Sequence, residues 1–216
     1  MNISQFIELV GAFVLVFAIM QIVSDRLFFS VKAYAVQSFF LAISITAIAF
    51  YSGYIDLLVT AVLTFLIKVL IIPVLLLKLI EKIKISREIE PFININYSLL
   101  ITGMLVLFSF FLTRKVNIGG EVVTVEIFPI SVAVILIGAF IMISRKKAIT
   151  QIIGFLTLEN GIMLAGTSVT KGMPLIVEIG IFFDVFVGAL MAGILIYQIR
   201  TTLQDIDTSK LSSLKE

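Results

Sequence analysis

The 216 residues are 60% hydrophobic and 14% charged, with a mean hydropathy of +1.19, so no soluble interior of this size could hide the apolar surface and lipid is the expected solvent. A net charge of +2 gives no footing for nucleic acid as a partner. With no Cys and no His, the chain has no disulfide, iron–sulfur ligation or His- or Cys-based metal or nucleophile chemistry, and a proton relay in it has only Glu, Asp, Lys, Tyr and water to use.

Seven hydrophobic spans are predicted, at 6–23, 33–51, 57–79, 98–112, 127–143, 148–166 and 174–199. Each is near the ~17–25 residues that a helix needs to cross ~30 Å of hydrocarbon. The segments lack apolar/polar alternation, so the fold class is all-α and polytopic, not a barrel. The N-terminus has no basic n-region, and the first span is read as retained.

Basic residues sort by side. Arg26 and Lys32, then Lys78, Lys82, Lys84 and Arg87, then Arg145, Lys146 and Lys147, and finally Arg200, Lys210 and Lys215 fall at one end of the predicted bundle. Only Arg114, Lys115 and Lys171 fall at the other. The positive-inside rule therefore predicts the N-terminus outside, the C-terminus cytoplasmic, and the cytoplasmic membrane as the location. The expected organisation is a three-helix unit at 1–84, a cytoplasmic linker at 85–97, a linking helix and outer loop at 98–126, and a second three-helix unit with a polar tail at 127–216. The stretch 65–83 aligns without gaps on 181–199, a hint of duplication that sets Lys68 opposite Asp184.

One basic residue, Lys68, belongs to no loop and lies about midway along the third span. Glu159 is about midway along the sixth and Asp184 along the seventh. At the bilayer centre each costs ~2.5–3.5 kcal/mol if charged and unpaired, so all three are expected to face the bundle interior as a proton relay. The competing reading is a static ion pair that fixes helix register. Gly180, Asp184, Gly188 and Ala192 step by four, as a small-residue stripe that admits a close neighbour; Gly154, Thr157, Gly161 and Ala165 form a similar strip. Asp56, Thr60, Thr64 and Lys68 also step by four, a candidate polar path, although Thr in such helices usually bonds its own backbone. Tyr34, Gln37 and Ser44 share a face of the second span, and Gln37 is a secondary site candidate together with Glu178 near the outer end of the seventh span. Pro73 is expected to kink the third span near Lys68 and free carbonyls there.

The stretches GFLTLENG and VEIGIFFDVFVGAL, the tail DIDTSKLSSLKE, and KVLIIP in the third span together resemble component E of hydrogenase-4, a membrane subunit of group 4 membrane-bound hydrogenases. The last three spans resemble the K subunit of respiratory complex I and its relative, the C subunit of Mrp-type cation/proton antiporters. The resemblance implies a non-catalytic membrane subunit of an oxidoreductase complex, contributing to proton or sodium translocation. Its partners would be the other membrane subunits of a complex I-like assembly, and the metal centres would lie on other chains, with no cofactor bound by this one. Glu159 matches the first membrane glutamate of the K subunit, Asp184 falls near the second with a shorter side chain, and Lys68 matches the lysine of the KVLIIP stretch. The alternatives are a subunit of an Mrp-type antiporter and a structural scaffold subunit.

Overall fold

In lipid every backbone polar group has to be satisfied within its own segment, and the chain meets this with helices. The computed structural model describes residues 2–83, 92–114, 127–169, 180, 183–189 and 193. The helices are α1 (Ile3–Val23), α2 (Leu27–Ser52), α3 (Ile55–Thr64), α4 (Ile72–Ile83), α5 (Ile95–Thr113), α6 (Ile127–Ser144) and α7 (Ala148–Val169). A π-helical segment, Phe65–Ile71, joins α3 to α4, so that these three make one continuous span. Six spans among the described residues are long and apolar enough to cross a membrane, and the protein is an all-α, multi-pass membrane protein. The seventh predicted span lies largely outside the described residues, but 183–189 within it are helical.

Two helices are longer than hydropathy alone suggests. α2 starts at Leu27, so Lys32 is in the helix and not in the loop expected for it. Leu27 and Val31 are buried, while Lys32, next after Val31, is exposed near the helix end; a long stem lets its ammonium reach the interface. Likewise Lys78 and Lys82 belong to α4. The α2–α3 turn is tight because Gly53, at φ 74°, adopts the left-handed conformation and its N–H donates to the Ala49 carbonyl.

α6 and α7 pack most extensively, while α1 lies against α6 and α2 against α7. Gly154 and Gly161 make the α6–α7 approach possible: a Cβ at Gly161 would stand 2.7 Å from the Ile135 amide nitrogen, and one at Gly154 2.9 Å from that of Met142. α5 is peripheral. Its buried side is Ser98, Thr102, Ser109 and Thr113, and Leu100, Met104, Leu107 and Phe111 face outward. Thr102 and Thr113 give their hydroxyls to carbonyls one turn back.

The apolar interior divides in two. One core takes α1, the later part of α2, α3 and α6. The other takes the start of α2, α4, the start of α7 and Val187. On three elements the change of core falls at the same depth. It comes between Tyr34 and Leu41 on α2, between Leu156 and Met163 on α7, and between Ala61 and Ile72 on the third span. Gln37, Ser38, Thr157, Glu159, Asn160, Thr64 and Lys68 occupy those gaps, all buried.

Candidate functional site

Lys68 stands in the middle of the π segment, whose backbone shows why the register widens there. The Ile72 N–H donates to the Ile67 carbonyl, five residues back. The next donor would be that of Pro73, which has no N–H. The Lys68 carbonyl thus gets neither the α-register donor nor the π-register one. Pro73 thus frees a carbonyl beside the charge, as the sequence suggested, and the turn before it is π-helical. Wide turns of this kind are frequent at functional sites, because they re-aim one side chain without ending the helix.

Three ionisable groups converge on this turn. The Lys68 Nζ is 2.7 Å from Glu159 Oε1 and 3.8 Å from Asp184 Oδ1. It also donates to Asn160 Oδ1 at 3.3 Å. Lys68 is 0% exposed, Glu159 1% and Asp184 9%, so among these three the slight exposure is at the acid of the last helical segment. Fully ionised, one ammonium and two carboxylates leave one surplus negative charge, which a single proton would remove. Such a surplus is costly in a low-dielectric interior. Glu159 Oε2 and Asp184 Oδ1 have no hydrogen-bond partner among the described residues.

Of the neutral polar residues around this cluster, Tyr34, Gln37, Thr64 and Thr157 were singled out from sequence, whereas Gln21, Ser38 and Asn160 were not. Asn160 follows Glu159 directly and bridges Lys68 to α2, where its Nδ2 donates to Ser38 Oγ at 3.0 Å. Gln37 does not join the charged cluster. It belongs to a separate chain in which Thr157 donates to Gln21 Oε1 at 2.7 Å, Gln21 to Gln37 Oε1 at 3.0 Å, and Gln37 to the Val14 carbonyl at 3.2 Å. That chain ties α1, α2 and α7 together. Gln21 and Asn160 carry a sequence signal, a carboxamide inside an apolar run, but a search for charges passes over it. Arg145, expected as a loop charge, is buried and donates to the Ile22 carbonyl at 2.8 Å, closing the end of α1.

The α3 path is only partly as expected. Thr60 gives its hydroxyl to its own backbone, to the Asp56 carbonyl at 2.9 Å. Thr64, one turn before Lys68, is buried and makes no hydrogen bond among the described residues. Of the stripe on the last span, a Cβ at Gly180 would lie 2.8 Å from Met163 Cε and 4.0 Å from Glu159 Oε1, so this glycine lets the segment close over the acid. Gly188, by contrast, has nothing within 4 Å of a Cβ among the described residues. Glu178 and Ala192 lie outside the described residues.

Among known proteins, the chain is 36% identical over 151 residues to uncharacterized protein Rv0085 of Mycobacterium tuberculosis, covering 69% of each. It is 23% identical over 160 residues to hydrogenase-4 component E of Escherichia coli K12, covering 74% of each, and equally similar to the protein of that name in Shigella flexneri. No family model matches the chain. No solved structure matches it either. The hydrogenase-4 likeness is distant; the identity and coverage of the mycobacterial protein show that the chain belongs to the same family as Rv0085.

Proposed function

We propose that this protein is an integral subunit, in the cytoplasmic membrane, of a complex I-like energy-converting assembly, a group 4 hydrogenase or a relative. Its part is to carry protons, or to set the charge that moves sodium, while electrons pass through other subunits. The likeness to hydrogenase-4 component E supports the kind of complex. The observation that carries the role is Lys68 shared between Glu159 and Asp184 inside the bundle. Two acids compete for one ammonium, and a shift of about an ångström at Nζ would exchange the shorter distance for the longer. A proton arriving on Glu159 cancels its charge and releases Lys68 toward Asp184; its departure restores the first pairing. Such an element has two discrete states that a distant redox event can bias.

The test uses the whole complex in liposomes, with reduced methyl viologen as electron donor and a pH-sensitive dye to follow protons. Glu159→Gln and Asp184→Asn are expected to leave the complex assembled and electron transfer intact, and to lower redox-coupled proton movement by an order of magnitude or more. Normal coupling in both variants would sink the proposal. Ion exchange driven by an imposed sodium or pH gradient, without any donor, would instead mark the chain as an antiporter subunit.

A further inference from the structure

Given Glu159 as a proton carrier, the structure also bears on where its protons come from. Ser30, Tyr34 and Ser38 step by four along α2, and their exposures are 3%, 0% and 0%. Four residues of helix rise about 6 Å, so the three side chains form one buried line from the start of α2 to the polar layer. The start of α2 lies at the end of the bundle that carries Arg26 and the 145–147 turn. Leu27, Val31, Leu76, Leu79 and Ile80 enclose this line in the second core.

Tyr34 is the distinctive member. Its ring is fully buried in that core, where phenylalanine would pack as well. Ser38 is one turn further along α2, and the Tyr34 hydroxyl is buried with no hydrogen-bond partner among the described residues. Ser38 Oγ already accepts from Asn160, which leaves its own hydrogen for another acceptor. Glu159 Oε2 is the unpartnered oxygen on the acid side. A buried phenol hydroxyl with nothing to bond is unfavourable; a polar site with several such groups suits a water, which bonds to two to four partners.

We infer that Tyr34 is a further proton-handling residue, whose hydroxyl, with Ser38 and a bridging water, passes protons from the start of α2 to Glu159. The phenol stays neutral throughout: its oxygen takes a proton from a hydronium ion at the α2-start side as its own proton passes to the bridging water, which gives one of its protons to Glu159. The transfer ends with a new O–H bond on Glu159, the bridging water and the phenol restored, and the hydronium ion left as water.

The experiment is the liposome assay above on Tyr34→Phe, Ser38→Ala, the double variant and Glu159→Gln, with rates taken per assembled complex as counted on native gels. Tyr34→Phe is expected to slow redox-coupled proton movement on the order of a hundredfold and to raise its solvent deuterium isotope effect. Ser38→Ala should slow it in the same direction, and the double variant should be no slower than Tyr34→Phe. Wild-type rates in both single variants, with Glu159→Gln inactive, would overturn the Tyr34 route and leave the proposed function standing. Normal translocation by Glu159→Gln would remove the proposed function itself, and this route with it. If Tyr34→Phe does not assemble, Ser38→Ala decides alone: slowing with a raised isotope effect supports the route, and a wild-type rate overturns it.

Discussion

Lys68 is held by two acids and an amide, and what happens when it is removed separates a relay from a strut. Lys68→Met leaves Glu159 and Asp184 without a counter-ion, a loss of about 3–5 kcal/mol for an uncompensated buried charge. The yield of folded protein extracted in detergent should fall sharply. Adding both Glu159→Gln and Asp184→Asn removes the two orphaned charges, so the triple variant should regain most of that yield without regaining proton movement. A static ion pair would give back both together. The three charged members of this site were legible in the sequence, because a charge in lipid is rare enough to be read as buried and paired. Asn160 and Ser38 were not, and Tyr34 was read only as part of a polar face with Gln37 and Ser44, since neutral polar groups in such helices mostly bond their own backbone. Thr46, Thr60 and Thr102 do just that, and nothing local distinguishes Ser38 from them.

The third span owes its shape to a single missing donor. Pro73→Ala would supply an N–H and allow the α register to close through Lys68. Losing the extra residue of the π turn rotates what precedes it by roughly 100° about the helix axis, enough to swing Lys68 off Glu159. Proton movement should drop while membrane insertion and assembly persist, as measured by native gel and the liposome assay. Glycines give a second contrast between elements. Gly161→Val drives a side chain into the α6 backbone and should lower the detergent melting temperature markedly, whereas Gly188→Ala meets nothing within 4 Å among the described residues and should leave it unchanged. The spans themselves were legible, since length and hydropathy decide them. Their inner detail was less so: the choice between i+4 and i+5 bonding gave only Pro73 as a hint, and the first turn of α2 was hidden because Lys32 interrupts the apolar run.

At the scale of the whole molecule, two apolar cores enclose a polar layer from either end, and Lys68, Glu159 and Asp184 share the depth between them. Its orientation follows from the loop charges and is directly checkable, because the chain has no cysteine of its own. A membrane-impermeant maleimide applied to intact cells should label Tyr54→Cys in the α2–α3 turn and spare Asp25→Cys in the α1–α2 turn; the reverse pattern would invert the assignment. The likeness to hydrogenase-4 component E gives this architecture its context without deciding how the acids behave. Infrared difference spectroscopy of the complex during turnover reads that behaviour most directly. The account predicts a carboxylic acid C=O band that appears and disappears with redox cycling and is lost in Glu159→Gln. A spectrum in which no carboxyl band changes on cycling, or one left unaltered by Glu159→Gln, would contradict it.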